Sequence, residues 1–129
     1  KGEVPTSPDF VLPIGKADIK RVGKDVTVVT YGRMLERVLK AADKAAEKGI
    51  EVEVVDLMTL APLDRETIIE SVRKTGRVLL VNDAHKTGGF LGEIAAEDIP
   101  TPYNHSLEVA MLPDVDRILK YIERLYDKR

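Results

Sequence analysis

Runs of β-branched residues alternate with stretches of helical spacing along most of this 129-residue chain. From Ala17 to Val22 apolar and polar residues alternate, which predicts a half-exposed edge strand. Gly23-Lys24-Asp25 predicts a turn, and Val26-Thr27-Val28-Val29-Thr30 a buried central strand. Between Arg33 and Lys48, Met34, Leu35, Val38, Leu39, Ala42, Ala45 and Ala46 form one helical stripe, with Gly49 as its stop. Ile50 to Leu57 predicts the next strand. Arg65 to Lys74 predicts a helix capped by Asp64 and stopped at Thr75-Gly76, and Arg77 to Val81 a third buried strand. A helix is expected to begin at Gly89 and run to Glu97. The last helix opens at Leu112-Pro113-Asp114, with Asp114 as cap and Val115, Ile118, Leu119, Ile122 and Leu125 as its buried face.

Strands alternating with helices predict an α/β fold, a mostly parallel sheet covered by helices on both faces. Ahead of it, Pro5, Pro8 and Pro13 interrupt any periodicity. Residues 1–15 therefore read as a linker arm or a disordered tail, and residues 16–129 as the domain. The first residue is Lys1 and not Met, which reads as a fragment or a processed product.

Ligands of such sheets sit at the carboxyl ends of the strands, here Tyr31-Gly32, Met58 to Pro62, and Asn82 to Gly89. The last of these is the richest in chemistry. Asp83, His85, Lys86, Thr87, Gly88, Gly89 and Phe90 follow a strand and lead into a helix. They line a site with a helix start as anion cradle, or form a polar loop whose Gly-Gly lets the helix pack closely. No phosphate-binding motif is complete, since Gly88-Gly89 alone is neither a P-loop nor a dinucleotide fingerprint. His85 and His105 lack a third ligand at suitable spacing, so no metal site is expected. Tyr103 and His105 lie in the proline loop Thr101 to Ser106, a segment suited to shaping an interface. Ser71 and Ser106 have no nucleophile-elbow context and read as structural. Glu51 and Glu53 read as the exposed beginning of a strand. The expected sets of catalytic, cofactor-binding and metal residues are therefore empty, and the chain alone is expected to be inactive.

Composition narrows this further. Apolar residues make up 43% and charged residues 33% of the chain, with a net charge of −2 from interspersed signs, so there is no basic patch for nucleic acid. There are no cysteines, which excludes disulfides, cysteine metal sites and thiol nucleophiles. No apolar run approaches the ~18 residues of a membrane span, and no signal peptide is visible.

The stretch Asp56-Leu57-Met58-Thr59-Leu60-Ala61-Pro62-Leu63-Asp64 resembles the "DLRTLxPLD" segment of the carboxy-terminal domain of transketolase-like, thiamine-diphosphate-dependent proteins. Tyr31-Gly32-Arg33-Met34, Lys48 to Leu57, Ser71 to Arg77, Gly88-Gly89-Phe90, Pro102-Tyr103 and Leu112-Pro113 follow in the order of that family. The likeness is strongest to the beta subunit of the decarboxylating component of 2-oxo acid dehydrogenase complexes (pyruvate or branched-chain type). The segment Gly2 to Ala17 looks like the linker behind that subunit's pyrimidine-binding domain.

The resemblance implies a three-layer α/β/α sandwich with one antiparallel edge strand, Ala17–Val22. It implies an assembly and subunit-interface domain whose parent complex decarboxylates a 2-oxo acid and acylates lipoyl-lysine. It also implies that thiamine diphosphate and magnesium are held by other domains of the parent. The implied partners are a second beta subunit, the alpha subunits of a heterotetramer and the subunit-binding domain of the acyltransferase core, in the cytoplasm or the mitochondrial matrix. The loop residues Asp83 to Phe90, with Tyr103 and His105, become the candidate interface or channel rim. Transketolase and deoxyxylulose-phosphate synthase carry the same domain and are the alternative, as is a free-standing anion-binding module.

Two departures stand out. Met58 replaces the family's usual arginine. Against the family's order, a stretch of roughly twenty residues is expected to be missing near 96–98, so the last edge strand is expected to be absent and the Val78–Val81 edge to need cover.

Overall fold

The computed structural model describes residues 6–7, 9–83, 90, 107–111 (main chain) and 114–127. In chain order the elements are β1 (Asp18–Arg21), β2 (Val26–Thr30), α1 (Met34–Glu47), β3 (Val52–Asp56), α2 (Arg65–Thr75), β4 (Val78–Asn82), β5 (Leu107–Met111) and α3 (Val115–Asp127). The five strands form one sheet in the order β1-β3-β2-β4-β5. The contacts of β2 with β3, β2 with β4, and β4 with β5 are parallel, and only β1 runs antiparallel, against β3. This is the expected mostly parallel sheet with one antiparallel edge strand.

Connection handedness explains the layers. The chain moves from β2 toward one edge to make β3, then back across β2 to make β4. Right-handed crossovers in opposite directions place α1 and α2 on opposite faces of the sheet. The strands must then be apolar on both sides. Val26, Val28, Val52, Val54, Leu79 and Val81 pack with α1 and α3, while Val29, Val55, Val78 and Leu80 pack with Ile68 and Val72 of α2. On α3, Ile118, Leu119, Ile122 and Leu125 are buried, as their spacing predicts. Burial of each such side chain contributes about 1.5–3 kcal/mol relative to exposure.

The caps also follow the sequence. Asp64 accepts a hydrogen bond from Thr67 N at the start of α2, and Asp114 Oδ1 one from Arg117 N (2.8 Å) at the start of α3. Gly23 is required by space and not by its dihedral angles. Its neighbours Lys24 and Asp25 both donate to Glu51 O, and a Cβ on Gly23 would lie 2.2 Å from the Val52 carbonyl carbon. At the outer edge, β1 carries Asp18, Lys20 and Arg21, charges that discourage pairing with another chain.

Two expectations require correction. The edge beyond β4 is not bare: Leu107–Met111 pairs with Val78–Asn82 in parallel register. The last edge strand is therefore present. Five residues interrupted by Glu108 carry too weak an apolar signal to stand out in the sequence. Glu53 is also not at an exposed strand end. It is 1% exposed, because β3 is covered on both faces and Glu53 points to the α2 side, where Lys74 meets it. The helix expected from Gly89 lies, apart from Phe90, outside the described residues, as does the junction at 96–98.

Candidate functional site

The chain reverses its direction of winding between β2 and β4, and this switch point is where an open α/β sheet forms its crevice. Backbone and side-chain bonds tie the strand ends together there. Leu57 N donates to Thr30 O (2.9 Å), and Thr30 Oγ1 donates to Val81 O (2.9 Å). Above them, Arg33 at the start of α1 forms an ion pair with Asp83 just past β4. This pair spans the switch point. Asn82, beneath it, is 3% exposed, and its Oδ1 has no hydrogen-bond partner among the described residues.

Of the residues proposed from sequence for this rim, the structure describes two. Asp83 is held by Arg33, and Phe90 is half-buried against the α2-side core. His85, Lys86, Thr87, Gly88, Gly89, Tyr103 and His105 lie outside the described residues. Ser71 has the structural role expected of it. Thr27 Oγ1 lies 2.8 Å from Ser71 Oγ and 2.7 Å from Thr75 Oγ1, a buried hydroxyl cluster that ties β2 to α2. Among the described residues, no three of His, Cys, Asp and Glu group to hold a metal ion. No helix among them is long and apolar enough to cross a membrane.

The loop behind β3 has a role that local sequence patterns do not reveal. Thr59 Oγ1 accepts from Gly15 N (2.9 Å) and donates to Pro62 O (3.0 Å). Asp64 Oδ2 accepts from Ala17 N (3.0 Å) and Thr67 Oγ1 (2.8 Å). Gly15, at φ +79°, lies against Pro62, where a Cβ would approach its Cγ to 2.9 Å. Only a glycine fits both that backbone region and that gap. The Thr59–Asp64 loop is thus a latch on the end of the arm. Burial works to raise the Asp64 carboxyl, but bonds from Ala17 and Thr67, with the Lys16 charge, outweigh it and hold it below the usual carboxylate range.

Asp56 shows the opposite balance. It closes β3 directly opposite Asp18 of β1. Burial pushes its carboxyl up, Lys20 draws it down, and Asp18 pushes it up again, leaving it above the ordinary value. A raised folded-state value means that the native chain holds this proton more tightly than the unfolded chain. The stabilising contribution is therefore present at low pH and lost as pH rises through the folded value. Asp56→Asn, which mimics the protonated form, is expected to raise the melting temperature at neutral pH. That gain should shrink as pH falls into the acid range. A calorimetric series showing a constant difference at every pH would refute this.

Residues 15–97 match the family described as Transketolase, C-terminal domain. The chain belongs to the transketolase C-terminal domain family. It is 54% identical over 96 residues to the 2-oxoisovalerate dehydrogenase subunit beta of Bacillus subtilis (strain 168), covering 74% of this chain and 29% of that protein. It is 42% identical over 134 residues to the mitochondrial pyruvate dehydrogenase E1 component subunit beta-1 of Arabidopsis thaliana, covering 89% and 37%. A solved structure, "Split gene transketolase, inactive beta4 tetramer", superposes with a TM-score of 0.75 at 29% identity, over 95% of this chain and 45% of that one. This transketolase C-terminal domain thus spans less than half the length of these relatives.

Proposed function

We propose that this domain is an assembly and subunit-interface module of a 2-oxo acid dehydrogenase beta subunit. The identity of 54% to the Bacillus 2-oxoisovalerate dehydrogenase subunit beta, over 74% of this chain, carries this reading. The higher identity to dehydrogenase subunits than to the split-gene transketolase favours it over the transketolase alternative.

In this reading the parent decarboxylates a 2-oxo acid and passes the acyl group to lipoyl-lysine. Thiamine diphosphate, with magnesium, supplies the carbanion chemistry when bound in the parent. The described residues do not fit that cofactor. Asp83 at the switch point is neutralised by Arg33, and no metal-ligating trio exists among the described residues. In this reading the described residues order the sheet and fix the arm, and Asp83 and Phe90 mark the rim that meets neighbouring subunits. The partners are a second beta subunit, alpha subunits and the subunit-binding domain of the acyltransferase core, in the cytoplasm or the mitochondrial matrix.

The test uses the purified chain. It is expected to show no turnover of pyruvate or a branched-chain 2-oxo acid with thiamine diphosphate and magnesium. It is expected to co-purify with a 2-oxo acid dehydrogenase alpha subunit or an acyltransferase peripheral domain. Turnover by the chain alone would overturn the reading. So would failure to bind either partner together with a thermal shift on adding inorganic phosphate, which would instead support an anion-binding module.

A further inference from the structure

We propose that a cleft between β1 and α2 is a binding site for a small protonated primary amine, held by Glu53 and Glu70. The cavity measures about 270 Å³ and is lined by Ile19 of β1, Glu53 of β3, and Thr67, Glu70, Ser71 and Lys74 of α2. A water molecule takes up about 30 Å³ of liquid, so the space suits a ligand of several atoms and not a single structural water.

Unused acceptors define the ligand. Glu53 is 1% exposed. Its Oε2 takes the Lys74 ammonium and Gly23 N, and its Oε1 has no partner among the described residues. Buried carboxylate oxygens are normally hydrogen-bonded. Glu70 precedes Lys74 by four residues, a spacing that ordinarily makes a surface ion pair along a helix. Lys74 reaches inward to Glu53 instead, and exposed Glu70 has no ion pair among the described residues. Two carboxylates therefore share one ammonium. With Glu53 and Glu70 negative and Lys74 positive, the lining carries one negative charge in excess, which a single monocation neutralises.

The walls select the kind of cation. Among the described residues no three of His, Cys, Asp and Glu gather, so a divalent metal ion lacks ligands here. Thr67 Oγ1 already donates to Asp64, and Ser71 Oγ already bonds Thr27, so the two carboxylates carry the site. Ile19, 42% exposed, offers an apolar wall to a short alkyl stem. An –NH₃⁺ group brings three donors, enough for Glu53 Oε1 and the Glu70 carboxylate together. It reaches Oε1 by moving aside the Lys74 stem, a flexible chain that is 44% exposed. Lys74 keeps Oε2, and the ligand takes Oε1.

The test titrates the isotope-labelled chain with n-butylammonium chloride at constant ionic strength and follows it by NMR. The side-chain carboxyl resonances of Glu53 and Glu70 are expected to move together and to saturate with a Kd of about 1–10 mM. Potassium chloride and tetramethylammonium chloride supply a cation without an N–H donor and are expected to leave the Glu53 resonance in place. Glu70→Gln should weaken butylammonium binding roughly threefold to fivefold, the scale of an exposed charge pair. A shift at Glu70 without one at Glu53 overturns the proposal, since it reports surface pairing only. So does an equal Glu53 shift with potassium or tetramethylammonium, or an affinity that Glu70→Gln leaves unchanged. Absence of saturation by about 50 mM overturns it as well. Alpha-subunit binding is read separately, so this site and the functional reading can fail independently.

Discussion

Lys74→Met is expected to cost about 3 kcal/mol of stability, although Lys74 lies at the surface end of α2. The effect comes from what Lys74 serves. Glu53 is 1% exposed in the middle strand region, and its Oε2 takes the Lys74 ammonium as ion-pair partner and a second bond from Gly23 N at 3.3 Å. Oε1 has no partner among the described residues. Removing the ammonium leaves a buried carboxylate with a single long hydrogen bond, and breaking a buried pair is far costlier than never having built it. Two facts set the size. Lys74 is 44% exposed on its side chain, so part of its charge is screened by solvent and the loss falls at the low end for buried pairs. The methionine keeps the aliphatic cover, so the change measures charge and not packing. Glu53→Met in the Lys74→Met background should then recover most of the loss, because the stranded charge is gone. Chemical denaturation of the two single variants and the double variant measures the coupling. Additive losses, with no recovery in the double variant, would show that Glu53 and Lys74 do not act as a pair.

The sequence makes the layers of this domain readable because β2 and β4 are buried on both faces. Such strands must be apolar at every position that no neighbour can satisfy, and Val26 to Thr30 and Val78 to Val81 are written that way. Asp64 and Asp114 were legible as caps because capping is a local act, completed within three residues. The antiparallel β1 followed from family resemblance, as no rule of periodicity sets strand direction. What escaped has a common cause. The partner of Glu53 lies 21 residues away and that of Ala17 lies 47 residues away, so neither bond leaves a trace in local spacing. A charged residue in an apolar strand therefore reads as exposed in the sequence, whereas Glu53 is paired from the neighbouring layer. The switch-point ion pair between Arg33 and Asp83 is of the same kind, joining residues 50 apart that share no motif. At the candidate rim, the topology rule points to the carboxyl ends of the strands, and Asp83 lies just past β4. It did not indicate that Arg33 would already occupy that carboxylate.

Asp64→Ala is expected to remove about 3 kcal/mol, because one carboxylate there serves three donors. Its oxygens accept from Thr67 N at 3.3 Å, Thr67 Oγ1 at 2.8 Å and Ala17 N at 3.0 Å. Loss of a helix cap alone costs about 1 kcal/mol. The remainder comes from Ala17 N, a part-buried main-chain donor left without an acceptor, at about 1–3 kcal/mol. Asp64→Asn keeps an acceptor oxygen but no charge, and it should lose roughly 1 kcal/mol, since charge-assisted bonds are about twice as strong as neutral ones. The pH dependence has a defined sign. The folded carboxyl lies below the usual range, so the native state binds this proton less tightly than the unfolded state. Its contribution is full above the ordinary carboxylate value and is lost as pH falls through the folded value. The parent chain should therefore lose its advantage over Asp64→Asn on acidification, the reverse of the trend expected for Asp56→Asn. Amide exchange gives the structural readout: Ala17 and Thr67 should both exchange faster in Asp64→Ala. If Thr67 accelerates while Ala17 does not, the residue caps α2 only and the latch on the arm must be held by Thr59 alone.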